Sequence, residues 1–288
     1  MNGWLIYQQE DALNNSSYID WMIREAKKQQ ITLTLVLRHE LDIGSNRRYP
    51  VFSIQERPVT LPDMAIIRTI EPTLQLAFES LSIPVFNNSY TAAICNNKIR
   101  TYIEMEKIGV PIMQTLFLYP NAFPALAPIT FPFVLKSATG RGGGEVFLIQ
   151  DQPSWKQYAA KLKQTEAVAQ STENIQFGRD VRVFVIGKSI VSAVLRANDT
   201  DFRANFKLGG NAVPFLLSED KRLLVQRIIN HFDFGLVGID FLLTKDGAFV
   251  FNEIEDVVGS RILSETSDIN LLEKYISFIK EEVNHLSR

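Results

Sequence analysis

Two apolar stretches joined by Asp246-Gly247, in the segment GLVGIDFLLTKDGAFVFNEIED, commit this part of the chain to an antiparallel hairpin. With Asp246 and Gly247 as a two-residue turn, Asp240 lies directly opposite Glu253 and both side chains share a face. Glu255, two residues on, joins that face. Its partner is Gly238, which leaves space beside it. Ile239, Phe241, Val250 and Ile254 point the other way. Like charges placed opposite one another destabilise a strand pair. A hard cation held by oxygen ligands, most simply Mg²⁺, offsets that repulsion. The competing reading is a solvated hairpin face with scattered acids.

A second constellation lies upstream. The strand signal FPFVL runs into Lys136 and then SATGRGGGEV, whose glycines Gly140, Gly142, Gly143 and Gly144 expose backbone N–H groups and allow close approach to phosphate oxygens. No G-K-[ST] closes the loop, so it is not a Walker A motif. A flexible hairpin loop is the alternative. Lys136 ends an apolar strand, so its stem is expected to be buried and its ammonium aimed inward, which suits an anion; ordinary snorkelling is the bland account. Lys98 opens a helix, where its charge opposes the helix dipole. It reads as solvated, or as a weak phosphate candidate. In DFRANFKLGG, Arg203 and Asn205 occupy a turn-like segment closed by Gly209 and Gly210. Arginine there suits an oxyanion or a transferring phosphoryl group; an exposed surface loop is the other reading.

The first ninety residues alternate strand and helix signals: Trp4–Tyr7, a helix over 17–29, Ile31–Leu37, Val51–Ile54, Met64–Arg68 and a helix near 72–82. That rhythm predicts a small parallel sheet with helices on its faces. No G-x-G-x-x-G follows the first strand, so a dinucleotide fingerprint is absent. Farther along, Lys98–Lys107 reads as a helix ended by Gly109, 153–163 as another, and Asp180–Ala197 as a hairpin turning at Gly187–Lys188. The 288 residues, 46% hydrophobic and 22% charged, suffice for two domains or one large one with a real core. A formal charge of −2 argues against a generally basic nucleic-acid surface. No apolar run approaches the roughly 18 residues of a membrane span. The N-terminal MNGWLIYQQED does not read as a secretory signal, so a cytoplasmic location is expected. The single cysteine, Cys95, excludes an internal disulfide and a multi-cysteine zinc site. His39, His231 and His285 show no metal-binding spacing, and there is no G-x-S-x-G.

Taken in order, Lys98, FVLK with its glycine loop, GRDVRVFVIGKSIVSAVLR, DFRANFKLGG, GLVGIDFLL and FNEIE resemble the ATP-grasp superfamily, and within it the RimK-type ligases. The likeness spans roughly residues 60–265, with IIRTIEPTL and VFNNS also family-like. It implies an α/β and α+β ATP-grasp fold: an N-terminal Rossmann-like domain over 1–92, a small lid over 93–168 and a C-terminal α+β part over 169–288. It implies that Lys98 and Lys136 hold nucleotide phosphates and that Gly142, Gly143 and Gly144 belong to the loop closing over the triphosphate. Gln170, Ser171 and Thr172 match the hinge that reads adenine, and Asp180 a nucleotide-contacting acid. Arg203 is expected as the catalytic cation, with Asn205 beside it near the γ-phosphate. Asp240 and Glu253 match metal ligands for Mg²⁺ or Mn²⁺.

The chain departs from that pattern in three places. Glu255 replaces the usual asparagine, adding a charged ligand to the metal set. Gln170-Ser171-Thr172 lacks the usual acidic and aromatic hinge pair. DVVGSRIL stands where small residues and Pro-Gly are common, so Gly259, Ser260 and Arg261, with Arg68, are expected on the substrate side. The implied activity is ATP-dependent amide formation between a carboxylate and an amine, from an amino acid or peptide, through an acyl-phosphate. A non-catalytic nucleotide-binding module, and a D-amino-acid or macrocyclising ligase, stay open as alternatives. Neither nucleic acid nor membrane is an expected partner; self-association is left open, as are both substrates.

Overall fold

The computed structural model describes residues 1–48, 50–204 and 210–286 of a mixed α/β chain. Apolar residues fill β1 (Asn2–Tyr7), and helices α1 (Gln9–Asn14) and α2 (Ser16–Lys28) lead to a parallel neighbour, β2 (Thr32–Leu37). A small antiparallel sheet follows, made of β3 (Leu41–Ser45), β4 (Pro50–Ile54) and β5 (Arg57–Pro58). The chain then returns to the other edge of β1 as β6 (Met64–Ile67), continues through α3 (Pro72–Glu79), and adds β7 (Val85–Phe86). The parallel order is β2-β1-β6-β7, as the alternating rhythm predicts. Helices cover both faces of the inner strands, so LIY and MAII read as continuous apolar runs.

Next come α4 (Ser89–Cys95) and α5 (Lys98–Lys107). Asn97 caps α5 by accepting from the Arg100 amide at 3.2 Å, and Gly109, at φ +65°, ends it. Strands β8 (Thr115–Leu118), β9 (Phe133–Ser137), β10 (Val146–Ile149) and, after α6 (Gln152–Leu162), β11 (Ala167–Ser171) form an antiparallel sheet ordered β10-β9-β11-β8. Its core packs Phe133, Leu135 and Ala169 on Trp155 of α6. Lys136 lies within β9, one residue before its end.

The largest sheet holds β12 (Ile175–Ile186), β13 (Ser189–Ala197), β14 (Asn211–Pro214), β15 (Leu236–Thr244) and β16 (Phe249–Glu255), antiparallel in the order β14-β13-β12-β15-β16. Helix α7 (Glu219–His231) sits between β14 and β15 in sequence; α8 (Arg261–Thr266) and α9 (Leu271–Leu286) end the chain. Odd-numbered residues of β12 and β15, such as Val183 and Ile239, pack with α5 and α7. On the other face of β12, Phe184 and Ile186 join a core with β1, α2 and α9, while Asp180 and Arg182 occupy the opposite end of that face. One strand face thus begins polar and ends in the core. Among the described residues no helix is long and apolar enough to cross a membrane.

The carboxylate hairpin differs from the sequence expectation in a telling way. Its loop has three residues, not two: the Gly247 amide bonds to the Thr244 carbonyl at 2.8 Å, the Thr244 amide to the Ala248 carbonyl at 3.0 Å, and Gly247 takes φ +84°. Phe241 therefore faces Phe251, and Val250 pairs with Leu242 instead of pointing into the core beside Phe241. A bulge after Asp240 inserts Asn252 and shifts the register back. Asp240 opposite Glu253, Ile239 opposite Ile254 and Gly238 opposite Glu255 are then paired as expected. The space beside Gly238 is not empty: a Cβ there would meet Val258 Cγ2 at 2.8 Å and Arg182 Cδ at 3.2 Å.

Candidate active site

A cleft of about 830 Å³, open solvent at its mouth included, lies between the β8–β11 sheet and the β12–β16 sheet, with the glycine loop and the start of α5 on its rim. Lys98, Lys136, Gly142, Gly143, Gln170, Ser171, Thr172, Asp180, Arg203 and Glu253 line it. The sequence-expected nucleotide residues therefore converge, from six separate segments. Gly144 is exposed on the same loop but is not part of the wall. Asn205 lies outside the described residues.

Both lysines are buried and hold partners. Lys98 Nζ donates to the Gly140 carbonyl at 2.7 Å and lies 3.5 Å from Glu253 Oε2. Its backbone amide donates to the Ala138 carbonyl at 2.9 Å, so the start of α5 is pinned to the strand leading into the glycine loop. Lys136 Nζ donates to Asn252 Oδ1 at 2.9 Å and sits 5.5 Å from the centre of the Tyr102 ring. Burial pulls the Lys136 pKa from 10.5 down to about 8, with Glu253 opposing. Asn252 is a site residue that the sequence reading missed. Strict alternation would turn it away from Glu253's face; the bulge brings both neighbours into the cleft.

The acid cluster also forms. Asp240, Glu253 and Glu255 each present a carboxylate oxygen within 4.8 Å of the others. A cation is the expected relief of their repulsion; in the structure two buried arginines already offset part of it. Arg182 forks onto Asp240, Nε to Oδ1 and Nη2 to Oδ2, both at 2.7 Å, and its Nη2 also reaches Glu255 Oε1 at 2.8 Å. Arg196 Nη2 donates to Asp240 Oδ2 at 2.7 Å. Burial alone would raise the pKa of Asp240, but the two guanidiniums outweigh it and hold the carboxyl below its ordinary value.

This limits what Asp240 can offer a cation. Oδ2 already accepts two N–H bonds, whereas Oδ1 accepts one and keeps a lone pair. Asp240 is therefore restricted to a single ligand atom. Glu253 and Glu255 are half-buried, and among the described residues each has one carboxylate oxygen, Oε1 and Oε2 respectively, outside those ion pairs. An all-oxygen carboxylate set of this kind fits Mg²⁺ or Mn²⁺.

Asp180 lines the cleft, but both its oxygens are engaged at 2.6 Å by Arg196. Burial pushes its carboxyl up against that opposing charge. The arginines were legible in part: Asp180 and Arg182 alternate along one strand face, and Arg196 lies across the hairpin. The missing signal was a bulge at Val191. A regular two-residue hairpin at Gly187–Lys188 would set Asp180 opposite Leu195; the register instead slips so that Asp180 faces Arg196.

The remaining expected residues divide. Arg203 is clamped by Asp201, Nε to Oδ1 at 3.0 Å and Nη2 to Oδ2 at 2.6 Å, and its Nη1 donates to the Gly143 carbonyl at 2.6 Å. Gln170 is buried with Nε2 on the Tyr102 hydroxyl at 3.2 Å; the Ser171 amide bonds to the Gln114 carbonyl at 2.8 Å, and the Thr172 hydroxyl donates to the Pro132 carbonyl at 2.6 Å. Arg68, just after β6, bonds to the segment after Glu255, and it and the buried Ser260 of that segment lie away from the cleft wall; Arg261 is exposed at the start of α8. Asp256, which no motif flagged, accepts from Arg141 Nη2 at 2.8 Å and Asn96 Nδ2 at 2.9 Å, tying the glycine loop to the end of the carboxylate strand.

The chain is similar to several known proteins. At 26% identity over 267 residues, human N-acetylaspartylglutamate synthase A matches 88% of this chain and 66% of its own length, so the chain spans just under two thirds of that relative. The glutamate–LysW ligase ArgX of Sulfurisphaera tokodaii is 26% identical over 81% of this chain and 89% of its own. The crystal structure of a RimK domain ATP-grasp protein from Sphaerobacter thermophilus superposes with a TM-score of 0.71 at 19% identity, over 96% of this chain and 99% of that one, and so shares the fold. The profile of the RimK-like ATP-grasp domain matches residues 96–279, a stretch that holds both lysines, the glycine loop and all three acids. The chain belongs to the RimK-like ATP-grasp family.

Proposed function

We propose that this chain is an ATP-dependent, ADP-forming carboxylate–amine ligase. The observation that carries the reading is the convergence, in one cleft, of two buried lysines, a glycine loop and Glu253, next to an acid trio whose oxygens lie within 4.8 Å. Lys98, Lys136 and Arg203 supply positive charge for a triphosphate, and the Gly142–Gly143 backbone allows close approach. The hinge residues Gln170, Ser171 and Thr172 close the far wall. In the first step a substrate carboxylate oxygen bonds to the γ-phosphorus as the bond to ADP breaks, leaving an acyl-phosphate. In the second, an amine nitrogen bonds to the acyl carbon, inorganic phosphate leaves with the bridging oxygen, and the amine loses a proton.

The chain's contribution is positioning and charge stabilisation. Arg203 is assigned to the transferred phosphoryl oxygens, with Asp201 fixing its fork. Asp240 through Oδ1, with Glu253 and Glu255, would hold Mg²⁺ or Mn²⁺, which when bound neutralises phosphate charge. Arg182 and Arg196 fix the rotamer of Asp240 before any cation arrives. ATP, a carboxylate and an amine from an amino acid or peptide are the proposed partners.

The test is a thermal shift with a non-hydrolysable ATP analogue, with and without Mg²⁺, followed by ADP release with candidate substrates. Ligand at about 100 times its Kd adds about 2.7 kcal/mol, several degrees for a chain this size. A shift that needs both components supports the reading, and Glu253→Gln should abolish its Mg²⁺ dependence. The absence of any shift at millimolar ligand would overturn it.

A further inference from the structure

The segment that carries Arg203 is built around one glycine. Gly178, in β12, takes φ +67°. Its amide donates to the Phe202 carbonyl at 2.8 Å, and its carbonyl accepts from the Asn198 amide at 2.8 Å. Residues 198–202 therefore leave the end of β13 and fold back over β12 as a clasp. A Cβ at Gly178 would lie 2.0 Å from the Asn198 carbonyl oxygen and 2.9 Å from that of Asp201, so glycine is what lets the backbones close.

Inside the clasp a single side-chain oxygen gathers the turn. Asn198 is buried, and its Oδ1 accepts from the Thr200 amide at 2.9 Å, the Thr200 hydroxyl at 2.9 Å and the Asp201 amide at 3.1 Å. The two backbone amides can only donate, which fixes the side chain with its oxygen toward them. An asparagine that bonds the backbone two and three residues on sets the direction of the turn, and so of Asp201. Asp201 then grips Arg203 at three points: the Arg203 amide on Oδ1 at 2.9 Å, Nε on Oδ1 at 3.0 Å and Nη2 on Oδ2 at 2.6 Å. The guanidinium carbon also lies 5.5 Å from the Phe202 ring centre.

Arg203 lines the cleft, and this grip leaves it a usable edge. With Nη1 on the Gly143 carbonyl, three of the five side-chain N–H groups are engaged; one on each terminal nitrogen has no acceptor among the described residues. An oxyanion taken up there lies closer to the guanidinium than to Asp201, so attraction outweighs repulsion. A loose arginine samples many rotamers, and fixing one at the moment of binding costs entropy. A clasp that fixes the rotamer during folding removes that cost from the reaction. We infer that Asn198, acting through Asp201, is a positioning residue that orients Arg203 before the transferring phosphoryl group arrives. This rests on the ligase reading, in which Arg203 meets the transferred phosphoryl oxygens. Asn198 itself touches neither nucleotide nor substrate in this assignment.

The experiment uses the full chain with Mg²⁺. Calorimetry compares the affinity of ADP alone with that of ADP plus aluminium fluoride, a stand-in for a phosphoryl group in transfer. The wild type should bind the pair more tightly than ADP, and Asn198→Ala should cut that gain roughly tenfold while leaving the affinity for ADP alone unchanged. Asn198→Asp, which keeps the acceptor oxygen, should hold most of the gain. In an Arg203→Ala background Asn198→Ala should have no further effect, because nothing remains to be oriented. A cap with a structural role alone would lower the urea midpoint, leave the gain intact and act equally in both backgrounds. Asp201→Asn, at a half-buried position, breaks the next link and serves as the second variant should Asn198→Ala fail to fold; it too should lose the gain. An undiminished gain in Asn198→Ala or in Asp201→Asn overturns the inference, as does an equal loss with and without Arg203. A wild type that binds ADP with Mg²⁺ but gains nothing from aluminium fluoride overturns it and leaves the ligase reading standing. A gain that depends on both Asn198 and Arg203, in a chain that releases no ADP with any carboxylate and amine tried, keeps the inference and removes the ligase reading. A wild type that binds no nucleotide overturns both.

Discussion

Replacing Lys136 by methionine should stabilise the ligand-free protein. Lys136 is buried in β9, and burial lowers its pKa from 10.5 to about 8. Between those values the unfolded chain carries a proton that the folded chain has lost. The unfolded state binds more protons, so the stability of the wild type rises with pH across that window. Below pH 8 the full cost of keeping the ammonium folded is present: a displacement from 10.5 to about 8 corresponds to about 3 kcal/mol. Methionine removes that cost and retains most of the stem, but it forfeits the bond to Asn252 Oδ1, which is worth about 1 kcal/mol. Lys136→Met should therefore gain about 2 kcal/mol at pH 7, and the gain should shrink as pH rises from 8 toward 10.5. Urea unfolding of both proteins in chelator, at several pH values, measures the difference, and groups common to both cancel. Nucleotide binding should be lost in the same variant. A variant no more stable than wild type at pH 7, or a gap independent of pH, would refute the reasoning that this charge is held at a thermodynamic cost for an anionic ligand.

Three further outcomes follow from the site. Asp240→Ala leaves Arg182 and Arg196 buried beside an empty position and should cost about 3–5 kcal/mol in urea unfolding, whereas Glu253→Gln, at a half-buried position, should change stability little while removing Mg²⁺-dependent nucleotide binding. Asp256→Asn weakens the hold on Arg141, so trypsin should cut after Arg141 faster than in wild type and nucleotide should dissociate faster, measured by timed digestion and stopped-flow fluorescence. Arg203→Ala should lower kcat for ADP release more than it raises KM for ATP; the reverse split would make Arg203 a binding clamp.

Much of the architecture could be read before any coordinates. The parallel order at the N-terminus follows from apolar runs separated by amphipathic helices, and α5 from its stripe of Ile99, Tyr102 and Met105 with Gly109 beyond. Lys98, Lys136 and the glycine loop were found because each breaks a local rule: a cation at a helix start, a lysine in an apolar strand, and four glycines together. What stayed hidden was partnership. Nothing in composition or spacing says that Gly140 and Gly143 carbonyls occupy the very cations assigned to phosphate, or that Asp256 reaches back to Arg141.

The two bulges explain why the rest was hidden. Side-chain direction in a strand has period two, so one inserted residue exchanges the faces of everything beyond it. On β13 the insertion at Val191 sets Arg196 opposite Asp180 and within reach of Asp240; with no bulge, Leu195 would stand there and Arg196 would face the core side of the sheet. On β16 the insertion at Asn252 places it and Glu253 together in the cleft, one holding Lys136 and the other near Lys98. The expected pairing of Asp240 with Glu253 was correct only because a turn one residue longer and a bulge one residue long cancel. Deleting Asn252 isolates this effect. Phe251 would then be followed directly by Glu253, so Phe251 would still oppose Phe241 and Glu253 would still oppose Asp240. The deletion removes the bulge and the bond to Lys136 but keeps the acid trio on one face, so its cost should be close to that of Asn252→Ala, which removes only that bond. A far larger loss in urea unfolding for the deletion would mean that the strand does not close up in this register.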